Sequence, residues 1–200
     1  IIFVFGLGIV MFIVVWMVLN YGTYSFNDGV LFKNEYEKLN NMATEDGKKY
    51  PKVSLPEDNK IFYTTYDSVL NILEDNGDAV IYFGYPTCLY CRTAVQILLN
   101  IAENTDIDKI YYLDVEEDDS KYDDLLNVLG EEFIVENNGK REIYAPLVIF
   151  VADGDIVSYQ KGTLFSQEDP YDELDSSQIS GLGEIYGYGI RDVLSAMNNG

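Results

Sequence analysis

Cys88 and Cys91 are the only two cysteines in the chain, and they stand in Tyr82-Phe83-Gly84-Tyr85-Pro86-Thr87-Cys88-Leu89-Tyr90-Cys91-Arg92. A pair at this spacing can cycle between dithiol and disulfide, hold a permanent bridge, or supply half of a metal site. The metal option is short of parts. Tetrahedral zinc takes four ligands, and the chain has no histidine, so carboxylates would have to complete the set. The surrounding pattern bears on the other two. Ala79 to Phe83 reads as a buried strand, and Gly84, Tyr85 and Pro86 break it. A helical pattern then starts at Cys88, with Val95, Leu98, Leu99 and Ala102 on one face. A helix start carries unpaired N–H groups and a partial positive charge. Both favour the thiolate, the reactive form of cysteine. Cys88 then faces outward and Cys91 lies one turn further in, close enough to close a disulfide or resolve a mixed one. In a strand–helix setting this spacing reads as a redox dithiol before a structural bridge.

The elements that must position this motif sit in an acidic chain. Thirty-four acids against 13 bases give a net charge of −21, which argues against nucleic acid and against docking on an anionic membrane surface. With 48% hydrophobic residues in 200, a core and one ordinary domain plus an attachment are expected. The tyrosines spread along the chain without a repeat. Ile1 to Leu19 carries no charged residue, and as a helix it would span about 28 Å, close to the hydrocarbon thickness of a bilayer. We expect a membrane anchor over residues 1–20, with a cleaved signal peptide or a buried core helix as the alternatives. A start at Ile1 leads us to expect residues ahead of it that carry the orienting Lys or Arg. Two cysteines confined to one motif suit an oxidising compartment, so the bulk of the chain is expected outside the cytoplasmic membrane.

Residues 21–60 read as a juxtamembrane stalk, with weak helical periodicity from Val30 to Met42 through Leu31, Tyr36 and Leu39. The folded domain is expected over residues 61–200. Ile61 to Thr64 is its first strand, and Thr65 caps a helix from Tyr66 to Glu74. The Ala79–Phe83 strand and the CxxC helix follow. Lys109 to Val115 is the next strand, and Tyr122 to Leu129 is a helix ended by Gly130. Ile143 to Val151 reads as a strand that contains Pro146, which points to an edge, a bulge or a cis bond. Asp153-Gly154 is a hairpin turn, paired through Ile156 to Tyr159. Ser166 to Ser180 reads as an acidic surface loop. Glu184 to Met197 is a last helix, with Ile185, Tyr188, Val193 and Leu194 available for the core. The order β-α-β-α-β-α-β-β-α implies a mixed central sheet with helices on both faces.

Strand, CxxC, helix, an apolar strand entered through Ala145-Pro146, and an Asp-Gly hairpin resemble the thioredoxin fold over about Ile61 to Met197. YFGYPTCLYCR with YAPLVIF, Lys161-Gly162-Thr163 and the amino-terminal anchor are similar to membrane-tethered thioredoxin-like proteins of Gram-positive bacteria. Some of these are called bacteriocin-transport accessory proteins. The resemblance implies a cis Pro146 beside the disulfide, Cys88 as the attacking thiol and Cys91 as the resolving one. It implies that Ala145 offers its backbone to an extended substrate segment, and that Tyr85, Pro86, Leu89 and Tyr90 form the apolar surround. Two positions depart from the thioredoxin pattern. Tyr82 stands where a buried Asp is expected, and Tyr112 where a Lys is expected. Glu116 is nearby in sequence, and Arg92 is the only cation adjacent to the pair. Without an imidazolium, a moderately depressed Cys88 pKa and a reducing to intermediate potential are expected.

Two functions come out of this reading. The first is a membrane-anchored thiol–disulfide oxidoreductase that reduces or exchanges disulfides in exported proteins. It needs no metal or organic cofactor beyond the Cys88–Cys91 disulfide, and draws electrons from a membrane partner protein. The alternative is a non-catalytic adaptor of the same fold that assists export or maturation of a partner. For it, the acidic stretch Gln167 to Gln178 would be a docking surface or simply a solvated loop.

Overall fold

The computed structural model describes residues 28–116, 119–164 and 166–198. The expected anchor at residues 1–20 lies outside them, and no described helix is long and apolar enough to cross a membrane. Helix α1 spans Asp28–Glu37, strand β1 Ile61–Tyr63, helix α2 Tyr66–Glu74, strand β2 Ala79–Gly84 and helix α3 Leu89–Ala102. Strand β3 spans Ile110–Asp114, helix α4 Tyr122–Leu129, strand β4 Ile134–Asn137 and strand β5 Lys140–Ile143. Strand β6 spans Leu147–Ala152, strand β7 Asp155–Lys161 and helix α5 Ser176–Met197. Five strands form a mixed sheet in the order β1-β3-β2-β6-β7, while β4 and β5 pair as a separate hairpin. β1 and β2 run parallel to β3; β6 is antiparallel to both β2 and β7.

Side chains alternate across a strand, and both faces of this sheet are apolar. Val80 and Tyr82 of β2, Tyr112 of β3, and Val148 and Phe150 of β6 share one core with α1, α3 and α5. Ala79, Ile81 and Phe83 of β2, Leu113 of β3, and Leu147, Ile149 and Val151 of β6 share the other with α2 and α4. That double burial explains the nearly continuous apolar runs in β2 and β6. Thr65 caps α2 as expected, its side chain accepting the Ser68 N–H at 3.2 Å. The β6–β7 turn places both Asp153 and Gly154 at positive φ, the backbone of a primed hairpin turn.

Three expectations are corrected. Residues 28–60, read as part of a stalk, are built into the domain: Phe32 and Tyr36 are fully buried, and Val53 and Leu55 nearly so. The inward stripe of α1 is Gly29, Phe32 and Tyr36, while Leu31 faces outward. The long strand expected over Ile143 to Val151 is two strands, β5 and β6, separated by the bend at Ala145-Pro146. β5 joins β4 through Asn138 and Gly139, both at positive φ. The last helix starts at Ser176, inside the stretch read as a loop, because Asp175 and Gln178 form a reciprocal cap there. Its inner face carries Leu182, Tyr186, Ile190 and Val193, while Tyr188 is exposed. Gly189 sets that rotation, since a Cβ there would lie 2.4 Å from the Phe150 ring.

Candidate active site

β2 delivers the chain to the site, and Gly84, Tyr85, Pro86 and Thr87 turn it. The Cys88 N–H donates to the Tyr85 carbonyl at 3.2 Å, and the Cys88 carbonyl accepts the Arg92 N–H at 3.2 Å, the first bond of α3. Cys88 is therefore the N-cap of α3. Its backbone is extended, and its Sγ accepts the Cys91 N–H at 3.1 Å. Cys88 and Cys91 are joined in a disulfide, their Cα atoms 5.1 Å apart. Cys88 is half-buried and Cys91 has no exposed surface. Cys88 thus keeps part of its surface exposed and its sulfur has a backbone donor, a contact of the kind that favours a thiolate.

β2 and β6 are neighbours, and their register pairs Phe83 with Leu147. The end of the strand before the cysteines therefore lies beside the start of the strand after Pro146. The Ala145–Pro146 peptide is cis. Gly162, at positive φ, donates its N–H to the Pro146 carbonyl at 2.7 Å and lies against the Tyr144 ring. Cys88 and Ala145 pack on the same core cluster that holds Cys91. Tyr85 and Ala145 line one groove of about 560 Å³ with Glu116, Glu142 and Tyr144. Tyr90 and Tyr144 line a second of about 200 Å³ with Gly162, Thr163 and Gln167. Pro86 and Leu89 are half-buried in the cysteine loop. Of the residues singled out from sequence, Tyr85, Pro86, Leu89 and Tyr90 flank the cysteines along the chain, and Ala145 and Pro146 precede β6, whose first residue is paired with Phe83 near the end of β2.

Neither a comparison with protein-family models nor one with curated proteins finds a match.

The groups behind the disulfide are phenols. The Tyr82 hydroxyl lies 3.0 Å from that of Tyr36 and donates to the Cys91 carbonyl at 3.4 Å. The Tyr112 hydroxyl donates to Asp114 at 3.2 Å. Tyr36, Tyr82 and Tyr112 are fully buried. Burial, reinforced by neighbouring phenols and Asp114, pushes all three well above the ordinary tyrosine range. They therefore stay neutral, and bring no fixed charge to the resolving cysteine. Tyr85 is also raised, by burial first and then by Glu116 and Glu142. Glu116 itself is exposed, its carboxylate accepting from the Thr87 hydroxyl at 3.4 Å. Among the described residues no group of three His, Cys, Asp or Glu side chains is placed to hold a metal ion.

Two features escape the sequence reading. Tyr36, assigned to a stalk, lies directly behind the cysteine helix. Arg92, expected as the cation beside the thiolate, turns into the core. It has no exposed surface, and its nitrogens donate to the carbonyls of Pro51, Tyr36 and Pro86 and to the Asn40 side chain. Nothing in the local pattern of α3 marks it as buried. Only its place at i+4 from Cys88, on the side facing the N-terminal segment, carries that information.

Proposed function

We propose that this chain is a membrane-anchored thiol–disulfide oxidoreductase of thioredoxin-like fold, acting on disulfides of exported proteins. The observation that carries the reading is the asymmetry of the cysteine pair. Cys88 is reachable and caps a helix with its sulfur on a backbone N–H, while Cys91 is buried one turn on. In the reducing direction the Cys88 thiolate attacks one sulfur of a substrate disulfide. That bond breaks, its far sulfur leaves as a thiolate, and a mixed disulfide forms. The Cys91 thiolate then attacks Cys88 Sγ, closes the Cys88–Cys91 disulfide and releases the second substrate thiolate. Two electrons pass to the substrate, and a dithiol donor must supply two more for the next cycle. The strand order and the parallel–antiparallel mix of the sheet, with helices on both faces, support the fold assignment. The apolar stretch Ile1 to Leu19 supports the anchor.

The test is the reduction of a disulfide-bonded protein by dithiothreitol with the chain as catalyst. Wild type is expected to accelerate it, and Cys88→Ser to abolish the acceleration. Cys91→Ser is expected to accumulate mixed disulfides that a non-reducing gel resolves. Equal rates for wild type and Cys88→Ser would refute the reading.

A further inference from the structure

Arg92 follows Cys91 directly, and its side chain is the largest fully buried one in the described chain. A guanidinium is ionised at any physiological pH. Burial pulls the Arg92 pKa down from its ordinary value, yet nearby phenols, chiefly Tyr36 and Tyr50, oppose that. A buried cation is normally matched by a carboxylate. Here, among the described residues, no carboxylate lies within ion-pairing distance of it. Its partners are oxygens of neutral groups: Pro51 O at 2.7 Å, Tyr36 O at 2.8 Å, Asn40 Oδ1 at 2.8 Å and Pro86 O at 3.2 Å. The Tyr50 ring lies 5.5 Å from its central carbon. Lys52, Asp172 and Glu173 line the cavity of about 410 Å³ that Arg92 also lines, but all three are exposed to solvent. On the other side of the cysteine loop the exposed Glu116 carboxylate accepts from the Thr87 hydroxyl at 3.4 Å.

Those contacts do two things. They tie the loop before Cys88, through Pro86, to the N-terminal segment 36–51. Among the described residues, they also leave that positive charge without an ion-paired carboxylate, on the residue next to Cys91. Attack of a thiolate on Cys88 Sγ breaks the S–S bond and leaves the electron pair on Cys91 Sγ. The charge that appears there, and the thiolate later carried by Cys88, both form close in sequence to that cation.

We propose that Arg92 is a positioning and electrostatic residue of the redox site, whose buried, carbonyl-held charge favours the ionised sulfurs released when the disulfide opens. The N-terminal segment is then part of the redox apparatus, because Tyr36, Asn40 and Pro51 hold the guanidinium in place. The inference rests on the thiol–disulfide reading above.

The experiment uses the full chain in detergent, with wild type, Arg92→Lys and Arg92→Met. Two quantities are read: the pH midpoint of iodoacetamide alkylation of the reduced pair, and the equilibrium with a dithiothreitol redox buffer. An opposite charge within about 4–6 Å of a titrating group shifts it by about one to three pKa units, and the low end is taken because the guanidinium is held on carbonyls and not on a sulfur. Arg92→Met is expected to raise the alkylation midpoint by about one unit and move the redox equilibrium about tenfold toward the disulfide, near 30 mV. Arg92→Lys keeps the charge and loses the planar fork. It is expected to melt earlier than wild type yet keep the midpoint. A Met variant that melts earlier but alkylates at the wild-type pH would overturn the proposal by making Arg92 purely structural. Should the Met variant not fold, the Lys variant decides: a midpoint raised by about a unit with the charge present overturns it. A wild-type disulfide that no dithiol opens in the folded chain removes the functional reading itself, and this inference with it.

Discussion

Truncation of Phe32 to alanine tests whether the segment before residue 60 belongs to the domain. Phe32 is fully buried. Its ring centroid lies 4.4 Å from that of Tyr36 and 4.7 Å, edge-on, from that of Tyr112, with Tyr63 and Tyr82 in a second ring at 6.3 and 6.4 Å. Removing such a side chain costs about 3–5 kcal/mol, since the aromatic neighbours cannot all collapse into the space. The specific ring–ring geometry is worth about 0.5–1.5 kcal/mol per pair within that total. For a domain of this size each kcal/mol moves the melting midpoint by about 2–4 °C, so a fall of about 6–20 °C is expected. The assay is thermal unfolding followed by circular dichroism, with Val30→Ala as control. Val30 is on the same helix and 38% exposed, and its truncation is expected to change stability by under about 1 kcal/mol. A Phe32→Ala variant that melts with wild type would refute the packing of α1 on the sheet and return residues 28–37 to the role of a spacer.

Tyr82→Phe keeps the ring but leaves the Tyr36 hydroxyl and the Cys91 carbonyl without the Tyr82 partner; a loss of about 1–3 kcal/mol is expected in urea unfolding. A double-mutant cycle with Tyr36→Phe should show coupling of about 0.5–1.5 kcal/mol, and strict additivity would contradict the hydrogen bond between the two phenols. On α5, Gly189→Ala is expected to lose about 1–3 kcal/mol by driving a methyl into the Phe150 ring. Gly187→Ala, whose methyl would meet its nearest neighbour at 3.8 Å, should gain up to about 1 kcal/mol from helix propensity; reversed signs would misplace the helix. Burial alone would raise the Glu37 carboxyl, but hydrogen bonds from Lys33 and the Leu55 N–H hold it below its ordinary value. Its folded form is therefore the more acidic one. Its contribution is present at neutral pH and fades as pH falls through the lowered folded-state value. Glu37→Gln should be less stable than wild type at neutral pH by under about 1 kcal/mol, with the difference closing in acid; a difference that grows in acid would give the opposite sign.

The parts that were legible in the sequence share a physical property: they are specified locally. The β2 run, the break at Gly84 to Pro86 and the helix from the cysteines follow from apolar periodicity and turn residues, as do the Thr65 cap and the Asp153-Gly154 hairpin. The sheet buried on both faces followed from the alternation of strands and helices. What was missed is specified by distant contacts or by short signals. α1 has a weak apolar face, and its Phe32–Tyr36 pair gains meaning only against Tyr82 and Tyr112. The β4–β5 hairpin carries Asn138-Gly139 at its turn, a strong hairpin signal, but flanking strands of four residues show too little alternation to draw attention to it. The start of α5 was hidden by acidic composition, although Asp175 and Gln178 stand at capping-box spacing. Arg92 reads as a surface cation by residue type, and only the carbonyls of the N-terminal segment make it a core residue.

That segment also imposes an order in time. Phe32 and Tyr36 leave the ribosome well before the surfaces that bury them, and the bond from Arg92 to the Tyr36 carbonyl closes across 56 residues. Contacts of such separation form only after the intervening chain has been brought together. A nascent chain therefore carries a bare aromatic stripe until β2, α3 and β3 have been synthesised. Through that interval the stripe is exposed surface on which incomplete chains can associate. Among the described helices, the first to be made finds its cover only in elements made after it.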